Sequence, residues 1–384
     1  MHEMLPRPLS IGAITALLFA SACATPAIAP TAPPAGTSAA NSGSTPAAAA
    51  GGPTSVAAGA APANAGAGCP NGLRKLSIST ATTPPNVALT APFVARGLGY
   101  FGKHCIDADI VEFEGGLSAT SRTAVAQGSV MGGVSVTDVG QGVKVHEVWV
   151  MAPHLPQSYE VGPDVKAAAD LKGKKLSAAG GGVGSFNWVM GREVLKTANL
   201  TVDDVQFIPS ATAGRLPGLV AGQVDAVALH PEDVYLAEKQ KPGVHTLVVL
   251  KELLPNYVYN AYGVADSWAA KDPDLIRDAV AALMEANRAI YQNKDAVVPI
   301  MMDATQKDRP EVEFAWDWLT RNCVFAVNTG YLPEATAWSA QLAVDNGDVP
   351  AAQKPTPEQV FDQKISNDAL ALVGGPTTVR NCKD

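Results

Sequence analysis

Between residues 76 and 250 the chain alternates short runs of β-branched and apolar residues with longer stretches at helical period. That pattern admits few architectures, because strands separated by helices pair in parallel and bury their apolar faces under those helices. The predicted strands of a first unit are Leu76 to Thr80, Ile106 to Phe113, Val130 to Ser135 and Glu147 to Met151; those of a second are Lys175 to Ala179, Val205 to Pro209, Val224 to Leu229 and Thr246 to Leu250. Beyond Pro273 the pattern is purely helical, with amphipathic runs at Leu275 to Tyr291, Glu311 to Leu319 and Glu334 to Ala343.

Helix starts are readable. Pro92 suits a first helical position, where a missing N–H costs nothing. Ser185 can cap a helix whose apolar positions Phe186, Val189, Met190 and Val194 share one face. Pro231 followed by Glu232 and Asp233 puts acidic side chains in a first turn, where the helix dipole favours them. The two units also echo each other: Gly128-Ser129-Val130 and Gly222-Gln223-Val224 each place a glycine at a helix end immediately before a buried strand.

The N-terminal region is different. A polar start containing Arg7 precedes an apolar run from Ile11 to Ala20, too short to span a bilayer stably, and Ala20-Ser21-Ala22 leads into Cys23. Residues 1–22 therefore read as a secretory signal peptide. The cysteine after them resembles the bacterial lipobox, whose thiol receives a lipid; ordinary cleavage that leaves Cys23 free is the alternative. From Ala24 to Gly68 the chain has no charged or aromatic residue and consists largely of Ala, Pro, Thr, Gly and Ser. It cannot bury enough apolar surface to offset its ordering entropy, so residues 23–68 are expected to form a disordered tether.

Charge and cysteine content narrow the function. The net charge is −8 and persists after signal removal, because Glu3 and Arg7 leave together. An acidic chain whose one basic run is Lys172-Gly173-Lys174-Lys175 is a poor nucleic-acid binder, and a solvated turn explains that run. Cys69, Cys105, Cys323 and Cys382 are an even number in an exported chain, and two disulfides are the expectation. Three pairings are open. If Cys69 and Cys105 precede neighbouring parallel strands, they fall within bridging range, and Cys323 with Cys382 follows.

Three blocks carry a resemblance: Ala91-Pro92-Phe93-Val94-Ala95-Arg96-Gly97-Leu98-Gly99-Tyr100-Phe101, Asp170-Leu171-Lys172-Gly173-Lys174-Lys175-Leu176 and Gly222-Gln223-Val224-Asp225-Ala226, with a fainter Val360-Phe361-Asp362. In this order and at these spacings the chain resembles the periplasmic solute-binding proteins for sulfonates, nitrate, taurine and thiamine-precursor pyrimidines. Two positions depart from the family's pattern: Cys105 stands where glycine is usual, and Met131 where aspartate is usual. The resemblance implies an α/β, two-lobe, periplasmic-binding-protein-like fold of type II, with the second lobe inserted in the first. Residues 69–157 and 262–384 would form lobe 1 and residues 158–261 lobe 2, with crossings near Leu155 to Pro163 and Asn256 to Gly263. Ligand would lie between the lobes, where the carboxyl ends of strands and the N-termini of helices converge.

Candidate ligand-binding residues follow from that placement. Gly180-Gly181-Gly182-Val183-Gly184-Ser185 follows a strand and opens a helix, so backbone N–H groups there can meet an acidic or polar ligand group; Gly182, Gly184 and Ser185 are the main candidates. It is not a Walker loop, since no lysine follows the last glycine, and Asn187 replaces the third glycine of the dinucleotide fingerprint. Phe186 falls on the apolar face and is assigned to the core, whereas Trp188 sits off it and is expected to stack on ligand. Tyr257 and Tyr259, two apart in a crossing strand, point the same way. His230 ends a strand before a helix, with a purely structural role as the alternative. Arg215 is placed to meet an anion, with a surface role as the alternative. Thr82, Asn86, Glu114, Ser118, Thr137 and Asp138 are the first-lobe loop candidates.

The expected function is capture of a small organic ligand, such as an organic acid, a sulfonate or an aromatic or heterocyclic compound, for delivery to an ABC permease. The expected form is a monomer without cofactor or metal, in the periplasm or at the cell surface, anchored by lipid on Cys23. The alternative is an enzyme on the same bilobal scaffold, similar to pyrimidine-precursor synthases; no nucleophile elbow or metal-ligand helix motif supports it.

Overall fold

A computed structural model describes residues 54–55, 68–113 and 119–383. The expected signal peptide, Cys23, Glu114 and Ser118 lie outside the described residues. So does the tether, except for Gly68 and for Thr54–Ser55, which form strand β1.

The remaining strands, in chain order, are β2 (Arg74–Thr80), β3 (Ile106–Glu112), β4 (Gly132–Gly133), β5 (Val145–Ala152), β6 (Ser158–Val161), β7 (Lys175–Ala179), β8 (Gln206–Ser210), β9 (Ala226–Leu229), β10 (His245–Val249) and β11 (Asn260–Ala265). They sort into two lobes, the second inserted in the first. In the first, β1-β3-β2 and β4-β11-β5 are joined by a parallel bridge between Ile78 and Met131. In the second the order is β10-β6-β9-β7-β8. The sheet pairing of β11 begins at Asn260, ahead of the expected boundary at 262.

Three expectations need correction. The sheets are mixed: β2–β3 and β8–β7–β9 are parallel, but β6 and β11, the two strands at the crossings, run antiparallel to their neighbours. Each enters its sheet from the other lobe and is not joined to a neighbouring strand by a β-α-β connection, the link that makes consecutive strands parallel. The strand expected over Val130 to Ser135 contracts to Gly132–Gly133, because Ser135 turns out of the sheet to cap the helix Val136–Gly140. The expected tether is not wholly unpaired either, since Thr54 and Ser55 add antiparallel to the edge of β3, where free backbone groups accept any extended segment.

The predicted helix starts are in place. Pro92 lies in the first turn of Ala91–Gly97; Ser185 Oγ accepts the N–H of Trp188 at the head of Phe186–Lys196; Pro231 opens Pro231–Gln240 with Glu232 and Asp233 in its first turn. The echo between lobes is a pair of matching helix ends. Gly128 and Gly222 are both left-handed (φ 69° and 71°), and the following N–H groups of Ser129 and Gln223 donate back to Ala124 and Gly218. This is the Schellman arrangement, which glycine adopts without a Cβ penalty.

The largest core lies in the first lobe, around the helix Pro273–Gln292, which buries Ile276, Val280, Leu283, Met284 and Ile290. Each such side chain contributes roughly 1.5–3 kcal/mol on leaving water. The C-terminal helices Arg309–Arg321 and Pro333–Asp345 follow it. Two disulfides are formed, Cys69–Cys105 and Cys323–Cys382, with Cα atoms 5.6 and 5.3 Å apart. Cys105 has φ 57°, which explains the resemblance's preference for glycine there. Met131 is fully buried, packed with Ile78 in the same core.

Candidate functional site

The carboxyl ends of β2, β7 and β9 face a cavity of about 550 Å³ lined from both lobes. That size suits a small organic molecule. Of the residues expected there, Thr82, Asn86 and Thr137 line it from the first lobe, and Gly184, Ser185, Arg215 and His230 from the second. Tyr257 and Tyr259 line it from the returning crossing. They precede β11 and do not belong to a strand, as the N–H of Tyr259 donates to Ala152 before the regular ladder begins.

Three expected residues are not in the lining. Trp188 packs its ring against Phe207 at 5.8 Å, with the Arg192 guanidinium 5.2 Å from the ring centre. Phe186 takes the cavity face instead, edge-on to Tyr257 and Tyr259 at 6.3 and 6.4 Å. Residues two apart on a helix are separated by about 200°, so only one of this pair can face the cavity. Asp138 is turned into its own helix start, where Oδ2 accepts from Ser135 N–H and Oγ at 2.9 and 2.8 Å, while Oδ1 meets Arg122 at 3.2 Å. Gly182 shapes the turn, its N–H donating to Ala178 and its carbonyl accepting from Ser185.

His230 is buried, with the Gln157 amide nitrogen 3.0 Å and the Tyr259 hydroxyl 3.4 Å from Nε2. Burial, then the charges of Arg215 and Lys307, holds its pKa well below the usual histidine range, so the ring is neutral. Nδ1 has no partner. Arg215 is nearly buried beside Asp233 at 3.8 Å and gives the second-lobe wall a cation. Burial pushes the Tyr257 phenol up to about 12 and raises that of Tyr259 too, so both remain hydroxyl groups.

Sequence reasoning missed other lining residues: Glu147, Gln157, Asn187 and Asn260, and a contribution from the C-terminal region through Ser339, Leu342, Asn346 and Asp348. Glu147 had a signal, a single acid inside the apolar run of β5. Nothing local marks the C-terminal residues, because only the chain's return across the cleft brings them there. Among the described residues no group of three or more His, Cys, Asp or Glu side chains could hold a metal, and no helix is long and apolar enough to cross a membrane.

Comparison with known proteins adds a family and a set of structural likenesses. The family described as NMT1/THI5 like matches residues 86–297. No curated protein matches the chain by sequence. Among solved structures, the periplasmic aliphatic sulphonate binding protein SsuA from Escherichia coli is similar at TM-score 0.61 and 21% identity, over 75% of this chain and 92% of that one. The periplasmic nitrate-binding protein NrtA from Synechocystis PCC 6803 gives TM-score 0.59 and 14% identity, over 78% and 88%. The desulfurization enzyme DSZB gives TM-score 0.55 and 17% identity, over 78% and 99%. At these identities the likeness is one of fold, and it spans binding proteins and an enzyme alike.

Proposed function

We propose, from the premise that the chain belongs to the NMT1/THI5-like family, that it is an extracytoplasmic binding protein that captures a small organic solute for an ABC importer. The observation that carries this reading is the cavity itself. It lies where strand ends and helix starts of both lobes meet, and polar groups from each lobe line it. The sulfonate- and nitrate-binding neighbours share the fold and support the same use of it.

The solute on this reading has a flat or apolar part and an acidic or polar end. Phe186, Tyr257 and Tyr259 supply aromatic surface, while Arg215 and the capped start of Phe186–Lys196 offer a cation and a positive helix end. The role is capture without turnover: Cys69, Cys105, Cys323 and Cys382 are tied in disulfides, and His230 is held by Gln157 and Tyr259. A lipid on Cys23 and the following tether would keep the domain at the membrane within reach of a permease; replacing Cys23 with alanine should then release it from the membrane fraction.

The test is a thermal-shift screen of the purified protein against organic acids, sulfonates, amines and heterocycles. A solute at a hundred times its dissociation constant adds about 2.7 kcal/mol of stability. Failure of every class to shift the transition would sink the binding reading.

A further inference from the structure

Glu147 lines the cavity from β5 at 4% exposure. Among the described residues no hydrogen bond or basic group acts on its carboxyl. The charge that reaches it is that of Asp138, which repels, and burial with that repulsion pushes its pKa up to about 8. Asp138 itself holds Ser135 N–H and Oγ, and Arg122. The other titratable groups nearby supply no cation. Tyr331 is a phenol within electrostatic reach of Glu147, Glu358 on the helix Pro357–Val360 is an acid, and Asp348 at the cavity wall is another. His146, the preceding residue in β5, is paired with Asp266 at 2.7 Å.

A second set of groups points the same way. Asn187 and Asn260 both line the cavity, and the side-chain oxygen of each is buried without a partner. The orientation of Asn187 is settled by its other end, because Nδ2 donates to the carbonyl of Ala179 at 3.2 Å, which leaves Oδ1 as an acceptor. Buried acceptors without donors cost free energy unless something fills the cavity and supplies the protons.

We propose that Glu147 marks a subsite for a nitrogen-bearing pole of the solute: an amine, an amidine or a protonated ring nitrogen. This rests on the solute-binding reading and deepens it. The solute would then present its acidic or polar end to Arg215, and its N–H donors to Glu147 and to the side-chain oxygens of Asn187 and Asn260. The proton balance is explicit. A cationic nitrogen that meets neutral Glu147 displaces the carboxyl proton to solvent, and an ion pair forms with one proton released. A neutral basic nitrogen takes that proton directly, and none is released.

Matched probes test the idea: 4-(aminomethyl)benzoate against 4-(hydroxymethyl)benzoate, and 2-aminoethanesulfonate against 2-hydroxyethanesulfonate. Each is titrated calorimetrically at pH 7 into the native protein and into Glu147→Gln, in two buffers of different ionisation enthalpy. Glutamine has the shape of the protonated acid, and equal thermal midpoints with and without the change would show that the fold tolerates it. The expected result is that at least one amine binds about tenfold or more tighter than its hydroxyl partner, the low end for a hydrogen bond to a charged group. The preference and the proton release should both disappear in Glu147→Gln. Equal binding of both members, a preference that survives the substitution, or binding of amine-free acids alone would overturn the subsite while leaving the solute-binding reading intact. Absence of binding by any class of solute would overturn both.

Discussion

Glu232 Oε1, in the first turn of the second-lobe helix Pro231–Gln240, accepts the backbone N–H of Val87 on the first lobe at 2.9 Å. Each partner is close in sequence to a cavity residue, Val87 to Asn86 and Glu232 to His230. The segments that clasp the lobes therefore also carry cavity-facing side chains. Asp233 reinforces the clasp by meeting Lys307 at 3.0 Å. We expect Glu232→Ala to leave a buried N–H unpaired at a cost of about 1–3 kcal/mol. It should lower the thermal midpoint and weaken solute binding together. A variant with native affinity would show that the clasp and the site are independent.

Two of the buried carboxyls make stability depend on pH. Glu147 and Glu232 are pushed up to about 8 and about 7, in both cases by burial first and a neighbouring aspartate second. A folded-state pKa raised above the ordinary value of 4.5 means that the native state holds the proton longer than the unfolded chain does. These groups therefore contribute most below pH 4.5, and stability falls as pH rises from there through 7 to 8. For Glu147 the loss is on the order of a few kcal/mol at 1.36 kcal/mol per pKa unit. Urea unfolding at pH 5, 7 and 9 should show Glu147→Gln gaining on the native protein as pH rises. A constant difference across that range would contradict the assignment.

The Cys69–Cys105 bond closes 36 residues and ties the segment entering β2 to the start of β3. Loop entropy gives such a bond about 4 kcal/mol. Because Cys105 is left-handed, its replacement can be chosen to separate the bond from the backbone. Relative to Cys69→Ser with Cys105→Ser, the pair Cys69→Ser with Cys105→Gly should recover about 1 kcal/mol, the usual penalty of a side chain in that region. Equal stability of the two pairs by chemical denaturation would show that the conformation relaxes once the bond is gone.

What the sequence showed and what it hid divide along local and tertiary lines. Pro92, Ser185 and Pro231 announce helix starts because capping and proline geometry act within one turn. The strands β2, β3 and β7 are legible from their own residues. By contrast, β6 carries Ser158 and Glu160, both buried; Glu160 accepts from Ser158 at 2.6 Å and from Thr246 of β10 at 2.7 Å. That strand makes chemical sense only once its neighbour is in place. The site divides in the same way. Ser185, Arg215 and His230 were readable as positions at strand ends and helix starts. Glu147 and Asn346 owe their place to a cavity wall assembled by distant segments.

The choice between Phe186 and Trp188 decides which face of the helix Phe186–Lys196 meets the solute. Phe186 lines the cavity with Tyr257 and Tyr259, whereas Trp188 is held between Phe207 and Arg192. If aromatic contact carries affinity, Phe186→Ala and Tyr257→Ala should each weaken binding by about 1–3 kcal/mol, as loss of buried aromatic surface does. Trp188→Ala removes packing on the far side of the helix. Its effect should therefore fall on stability, with the solute dissociation constant close to native. Calorimetry on the three variants with a solute returned by the screen, beside their thermal midpoints, separates the two effects. A large loss of affinity in Trp188→Ala alone would move the aromatic contact to the other face of the helix and undo the placement of the solute argued from Phe186.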